Sequence, residues 1–96
     1  MVDRTAGVFA ISVAAEMLSV PIQNLRVYER RGLVDPDRTS GGTRLYSHDD
    51  LHQLARIRDL LAEGLNLAGI DRVLSLEARV RRLERENDRL RRKERK

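Results

Sequence analysis

Arginines and side-chain amides are concentrated in residues 21–46, the stretch with the clearest capacity for binding chemistry. Five arginines stand there against three acidic residues. Guanidinium groups donate hydrogen bonds to phosphate and to guanine, and the carboxamides of Gln23 and Asn24 can pair with adenine. Residues of these types at this density predict contact with a nucleic acid.

The helices that position these groups are bounded by clear start and stop signals. A first helix is expected over Val13–Leu18, with the hydroxyl of Ser12 as its N-cap. The chain then breaks at Ser19–Pro21, and proline at a helix start loses no hydrogen bond. The second helix is expected over Pro21–Arg31 and ends at Gly32. The pattern therefore predicts two short helices joined by a tight turn.

The second helix is amphipathic. At 100° per residue, Ile22, Leu25 and Tyr28 share its inward side with Glu29. Because Glu29 faces inward, we expect it to bond a backbone or arginine partner. The outward side presents an amide and two guanidinium groups to a groove. Its members are Gln23, Arg26, Val27 and Arg30.

A hairpin is predicted over Arg38–Tyr46, because its Gly41–Gly42 tip can adopt the positive φ of a tight turn. Val8–Ile11 and Leu33–Val34 are candidates for short strands. With the two helices, the hairpin forms a winged helix-turn-helix. The expected fold class is mainly α, namely a winged helix-turn-helix domain with a small β-hairpin wing and a C-terminal coiled-coil helix.

Two longer helices are predicted after the hairpin. Ser47 and the acids that follow resemble a capping box, which begins a helix running to about Glu63. Gly64 ends that helix and Asn66 caps the next one. The inward residues of the third helix are predicted to be Leu51, Leu54, Ile57 and Leu61.

The last helix repeats apolar residues at alternating intervals of three and four, which is the pattern of a heptad seam for dimerisation. Its β-branched a positions, its leucines at d and rim pairs such as Arg79 opposite Glu84 favour a parallel dimer. Each rim pair contributes only about 0.3–0.5 kcal/mol, so packing imposed by the domains could override them. The seam comprises Val73, Leu76, Val80, Leu83, Asn87 and Leu90.

The sequence predicts three regions: a flexible arm over residues 1–7, the winged domain over 8–70, and a dimerisation helix with a basic tail over 71–96.

The net charge of +4 is unevenly distributed along the chain. Residues 79–96 hold ten basic and four acidic residues, a surplus of six, whereas residues 1–78 hold nine and eleven, a deficit of two. The tail is either a solvated helix end or a contact with DNA or RNA.

Several other classes of function are disfavoured. The chain has no cysteine, which excludes disulfides and thiolate sites. His48 and His52 are four residues apart on one helix but lack a third clustered ligand, so neither a metal nor another cofactor is expected. No nucleophile, base and orienting residue occur together, so an enzyme is not expected. Without an apolar span or leader, a cytoplasmic, nucleoid-associated protein is the default interpretation.

The stretch from residue 8 to 76 resembles the DNA-binding domain of MerR-family transcription regulators. The opening Ile11–Ala15, the run Pro36–Gly42 and the segment Asn66–Ile70 are most similar to the heat-shock repressor branch of that family. The family motifs occur here as Leu25-Arg26-Val27-Tyr28-Glu29, Gly32-Leu33, Pro36-Asp37-Arg38, Gly42-Thr43-Arg44-Leu45-Tyr46 and Gly64-Leu65-Asn66-Leu67.

The resemblance implies a homodimer that binds inverted-repeat double-stranded DNA, with an antiparallel coiled coil in place of the parallel one that the rim charges favour. It also implies a stress-type repressor that is regulated by thermal melting of the dimer or by a DnaK-type chaperone. Arg44 and Tyr46 are expected to hold the DNA backbone. The complete predicted DNA-binding set is Gln23, Asn24, Arg26, Val27, Tyr28, Arg30, Arg38, Thr43, Arg44 and Tyr46.

Two alternative functions stay open at this point. An architectural, excisionase-like protein would bend DNA and polymerise along it. A protein-interaction adaptor would bind its partner through the coiled coil and use the winged domain as a scaffold. The hairpin bordered by arginines argues against the adaptor.

Overall fold

The computed structural model describes residues 3–95 and divides into two compact units at the link between Glu63 and Gly64. The first unit contains a three-stranded sheet and three helices. The second unit is dominated by one long helix. In chain order the elements are β1 (Phe9–Ala10), α1 (Ile11–Leu18), α2 (Ile22–Arg30), β2 (Asp37–Arg38), β3 (Arg44–Tyr46), α3 (His48–Ala62) and α4 (Leu67–Glu94). The expected class, mainly helical with a small β wing, is confirmed.

The sheet is antiparallel, with β3 between β1 and β2. On one side Phe9 pairs with Tyr46, and on the other Arg38 pairs with Arg44. Of the two strand candidates, Val8–Ile11 contains β1. Leu33–Val34 forms no strand, but both of its side chains are buried.

The start of α1 differs from the prediction. The helix begins at Ile11, and Ala10 is its N-cap without any side-chain hydrogen bond. Ala10 is also the last residue of β1 and is extended, with ψ of 157°. The helix therefore follows the strand directly, and Ser12 lies within its first turn and is not its cap.

The core of the first unit is made of aliphatic side chains and two tyrosines. Leu25, Leu54 and Ile57 are fully buried there. On α3 the prediction of Leu61 was wrong, because Leu60 is buried and Leu61 is only half-buried. The buried residues of α3 recur at every third position, so the apolar row is inclined to the helix axis and ends at Leu60.

Both predicted helix caps after the hairpin are confirmed. The hydroxyl of Ser47 accepts from the Asp50 amide and the Asp50 carboxylate accepts from the Ser47 amide, each at 2.9 Å. The Asn66 side chain accepts from the Gly69 amide at 2.8 Å. These bonds satisfy amides that have no partner within their own helix.

Part of the predicted arm is hydrogen-bonded to the first unit. The amide of Gly7 donates to the Asp37 carboxylate at 2.9 Å, and the carbonyl of Arg4 accepts from the Asp49 amide at 3.0 Å. A Cβ at Gly7 would lie 2.6 Å from the Leu45 carbonyl oxygen, so only glycine fits this close approach. Residues 1 and 2 of the arm and residue 96 of the tail lie outside the described residues.

The second unit exposes most of its apolar side chains. Within α4 only Ile70 is buried, whereas Leu76, Val80, Leu83 and Leu90 are each 47–58% exposed. Across residues 3–95, no helix combines the length and the apolarity needed to span a bilayer.

Candidate nucleic-acid interface

The outward face of α2 is polar and accessible. Gln23, Asn24, Arg26 and Arg30 are exposed, whereas Leu25 and Tyr28 are buried on the opposite side. The predicted division of this helix into an apolar inner side and a polar outer side is therefore confirmed. A helix that projects amides and guanidiniums from one side has the donors and acceptors needed to read base edges.

The guanidinium groups of α2 are free to bind a ligand. Among residues 3–95, no ion pair involves Arg26, Arg30 or Arg31. Val27, which was expected on the same face, is half-buried and supplies a methyl surface beside the polar groups. The exposed side of α2 is thus electropositive and has one small apolar contact point.

The turn between α1 and α2 is fixed by contacts from outside the turn. Ser19 is left-handed, with φ of 54°, and its amide donates to the carbonyl of Glu16. The Arg58 guanidinium on α3 donates to the Leu18 carbonyl at 2.9 Å, at the open end of α1. A cation at the C-terminus of a helix is favourable, so Arg58 holds the turn that sets the direction of α2.

Glu29 connects α2 to the wing. Its two carboxylate oxygens accept from Arg38, at 2.7 Å, and from Arg44. The Arg38 guanidinium also donates to the Gly42 carbonyl at 2.9 Å. The expectation that Glu29 bonds an arginine is confirmed. One carboxylate on α2 therefore orients both arginines that border the wing.

The pKa of Glu29 reflects two opposing effects. Burial raises the pKa of this carboxyl, but the hydrogen bonds and charges of Arg44 and Arg38 outweigh burial, and its pKa lies below the ordinary value of 4.5. The group is therefore ionised at neutral pH, and the ion pairs persist. The side chain of Glu29 is only 18% exposed, which limits screening of these pairs by solvent.

The tip of the wing is held by its own hydrogen bonds. The Thr39 amide donates to the Thr43 carbonyl and the Gly42 amide donates to the Thr39 carbonyl, both at 2.9 Å. Gly42 has φ of 86°, a conformation that favours glycine. Thr43 is exposed next to this turn. The wing therefore presents its polar edge in a fixed conformation.

The two tyrosines of the predicted site lie in the core. Tyr28 is 4% exposed and Tyr46 is 0% exposed. Within the described residues the hydroxyl of Tyr46 is buried without a hydrogen-bond partner, and burial raises its pKa above 10.0. The expectation that Tyr46 holds the DNA backbone is corrected, because no atom of its side chain reaches the surface. Its ring packs as a core residue.

Two side chains that position the site could not be identified from the sequence. Arg58 caps α1 across 40 residues of chain, and the Gln53 amide donates to the Leu33 carbonyl at 3.0 Å, just after α2. Both contacts depend on how α3 packs against the preceding helices. No local spacing distinguishes these residues from the solvated polar residues of the same helix.

The two histidines do not form part of a metal centre in the described chain. His48 makes an edge-to-face contact with Phe9, with ring centroids 5.0 Å apart, and His52 is exposed. Over residues 3–95, no group of three or more His, Cys, Asp and Glu side chains could hold a metal ion.

Taken together, the fold and this surface define the class of winged helix-turn-helix proteins. The model of the MerR helix-turn-helix regulatory protein family matches residues 9–77, and the chain belongs to that family. The family is one of regulatory proteins, as the sequence motifs predicted.

Named relatives and a solved structure agree with this membership. A Streptomyces coelicolor protein assigned as heat shock protein HspR is 47% identical over 78 residues, covering 80% of this chain and 52% of that protein. The transcriptional regulator GlnR of Bacillus anthracis is 42% identical over 71 residues, covering 74% of this chain and 55% of the relative. This chain thus spans about half the length of these relatives.

The crystal structure of a MerR-family transcriptional regulator from Bacillus cereus superposes with a TM-score of 0.66 at 31% sequence identity. The match covers 85% of this chain and 66% of that one. The fold is therefore shared over most of the chain.

Proposed function

We propose that this protein is a homodimeric transcription regulator that reads an inverted-repeat DNA operator with α2 and holds the flanking backbone with its wing. The observation that carries the proposal is the exposed polar face of α2, whose arginines form no ion pair within residues 3–95, next to a wing whose arginines are oriented by Glu29. Membership of the MerR family supports it.

Base reading is assigned to the outward side of α2. Gln23 and Asn24 lie in the first turn, where a recognition helix is expected to contact bases, and their carboxamides suit adenine. Arg26 is one turn further on and suits guanine or phosphate. We assign Val27 to contact with a thymine methyl group and Arg30 to contact with phosphate.

Backbone contact is assigned to the wing. Arg38 and Arg44 retain side-chain exposures of 45% and 28% while they are paired with Glu29, so part of each guanidinium stays available to phosphate. Thr43 adds an exposed hydroxyl at the tip. The ring of Tyr28 is buried, and only its hydroxyl is assigned to a contact with phosphate. These contacts position the protein on DNA but do not read sequence.

Dimerisation is assigned to the heptad seam of α4, in the region 71–96, with the winged domain over 8–70. The exposed leucines and valines of the seam form the apolar strip that a second helix would cover. We propose the antiparallel arrangement implied by the family resemblance. A two-fold dimer places two α2 helices on the two halves of an inverted repeat.

Repression of stress genes is the regulatory role that we propose, on the strength of the relative assigned as heat shock protein HspR. The proposed location is the cytoplasm, on the nucleoid. The DnaK-type chaperone partner and thermal melting of the dimer stay predictions from the resemblance.

Selection of bound duplexes from a random pool, read by sequencing, tests the proposal. A symmetric motif with two half-sites is expected, and its affinity should fall steeply with salt. Enrichment of no motif would exclude sequence reading. A footprint that grows continuously with protein concentration would favour the architectural alternative.

Two substitutions separate base reading from backbone contact. Gln23→Ala should flatten preference at one base position, by about 1–3 kcal/mol, and leave the other positions intact. Arg44→Ala should weaken all sequences alike, and Arg44→Lys, which keeps the charge, should recover part of the loss. If Gln23→Ala instead weakens all sequences equally, α2 does not read bases at that residue.

A further inference from the structure

The outer surface of α4 carries a row of arginines that the proposed function does not use. We define the arginine stripe as Arg82, Arg85, Arg89 and Arg92, all of them exposed. Their intervals of three, four and three residues repeat those of the apolar seam. The stripe is shifted from the seam by two residues, or about 200° around the helix. It therefore runs along the side opposite the seam.

This placement keeps the stripe accessible when the seam is covered. A second helix packed on the seam would face a and d positions, whereas the stripe occupies c and f positions on the outside of a coiled coil. Each protomer of the proposed dimer would thus present one stripe. The inference goes beyond the proposed function, because it needs neither base reading nor an operator.

Three of the four stripe arginines form no ion pair within residues 3–95, although Glu86 and Asp88 flank the row. Arg82, Arg85 and Arg92 form no ion pair within the part of the chain that the structure describes, and Arg89 pairs with Glu86 beside the stripe. Neighbouring stripe arginines are three or four residues apart, a spacing at which like charges repel and destabilise a helix. Of the flanking acids Glu86 and Asp88, only Glu86 is paired with a stripe arginine in the described residues, so three guanidinium groups are available to an anionic ligand.

The spacing fits the charge density of duplex DNA. Ten residues of α-helix span about 15 Å. One DNA strand carries one phosphate per roughly 3.4 Å of duplex axis, so about four phosphates fall within that length. Guanidinium groups bind phosphate through paired hydrogen bonds.

We propose that the arginine stripe is a second DNA-binding surface, which binds phosphates of duplex DNA without reading sequence. An anionic membrane fits less well, since the outer positions from 78 to 92 hold no large apolar side chain that could enter a bilayer. Membership of a family of helix-turn-helix regulatory proteins favours DNA over other polyanions.

The test compares two triple variants of the full chain on a duplex of unrelated sequence. Arg82→Gln/Arg85→Gln/Arg92→Gln removes three charges but keeps Arg89 with Glu86, whereas Arg82→Lys/Arg85→Lys/Arg92→Lys keeps every charge. Affinity is measured across a series of salt concentrations. Each phosphate contact adds about 0.9 to the slope of log affinity against log salt.

The expected result is that the Gln variant loses up to about 2.7 from this slope per protomer, while the Lys variant stays close to wild type. Circular dichroism and sedimentation should show unchanged helix content and oligomeric state, since glutamine and arginine have similar helix propensities. An equal slope for wild type and the Gln variant overturns the proposal. The proposal is also overturned if the Gln variant loses slope on RNA and not on duplex DNA.

Failure of this inference is distinguishable from failure of the proposed function. A symmetric motif recovered from the random pool, together with an unchanged slope on unrelated DNA, would retain operator reading and reject the stripe. A reduced slope without any selected motif would retain the stripe and reject operator reading.

Discussion

The two units of this protein obtain their structure in different ways. In the winged unit, side chains such as Leu25, Leu54 and Tyr46 are fully buried. In α4 the regularly spaced apolar residues are about half-exposed, and the helix is covered with charge. Short elements held by a shared core can thus fix a binding surface in one protomer, whereas a long helix with an exposed seam specifies a partner.

The largest expected effect comes from the seam. Leu83→Asp would place a carboxylate in each half of the proposed helix pair and remove two buried leucines per dimer. Each leucine contributes about 1.5–3 kcal/mol when buried, so dimerisation should weaken by at least about a hundredfold. Sedimentation over a range of protein concentrations measures this, and binding to the selected operator should fall in parallel.

Its control is Ser75→Asp, which places the same charge on α4 outside the seam. That variant should remain dimeric. A Leu83→Asp protein that keeps the wild-type oligomeric state would show that α4 does not pair through this strip.

The core of the winged unit gives the next largest effect. Leu54→Ala removes a fully buried side chain from α3 and should reduce the free energy of unfolding by about 2–5 kcal/mol. Urea denaturation measures the loss. Leu76→Ala is the matched change on α4, where the side chain is 58% exposed in the protomer. At concentrations where the protein is monomeric, it should change stability far less.

A smaller effect is expected at Glu29. Glu29→Gln removes the charged partner of Arg38 and Arg44 and should destabilise the protein by about 1–2 kcal/mol at pH 7. Because the pKa of Glu29 lies below 4.5 in the folded state, its contribution is present above the unfolded pKa and is lost as pH falls through the folded value. The stabilities of wild type and variant, measured by denaturation at several pH values, should therefore converge as pH falls below 4.5 and through the folded pKa of Glu29.

Glu86→Gln provides the comparison on α4. Glu86 and Arg89 form an ion pair whose side chains are 51% and 62% exposed, and exposed pairs contribute little to stability. The variant should match wild type at all pH values in the series. Equal destabilisation by the two substitutions would mean that the ion pairs of Glu29 with Arg38 and Arg44 stabilise the protein no more than an exposed surface pair does.

The features of the winged unit that follow local rules were predictable from the sequence. The Ser47 capping box, the Asn66 cap and the inward position of Glu29 each depend on residues close in the chain or on helical periodicity. The contacts of Arg58 and Gln53 were not predictable, because they depend on how helices distant in sequence pack. The burial of Tyr46 was missed for a related reason, since it depends on contacts between parts of the chain far apart in sequence, such as the pairing of β1 with β3.

In α4 a larger share of the structure could be predicted from local pattern. Its bounds and seam follow from the heptad pattern over a single helix, and Asn66 marks its beginning. Whether two copies of α4 would pair parallel or antiparallel depends on how the two protomers are placed, and the rim charges and the family resemblance favour opposite answers. Periodicity thus determines what one helix exposes, and it does not determine how a second helix covers it.

The smallest expected effect concerns the hydroxyl of Tyr46, an unsatisfied polar group in the core of the winged unit. Leaving a buried hydroxyl unpaired costs roughly 1–3 kcal/mol, so Tyr46→Phe should stabilise the protein by about 1 kcal/mol, measured as a higher urea midpoint. Operator affinity should not change, because the ring has no exposed atom. Tyr28→Phe is the matched control, and it should weaken DNA binding if the Tyr28 hydroxyl contacts phosphate. Loss of DNA affinity in Tyr46→Phe would show that the wing opens on binding and would return this residue to the interface.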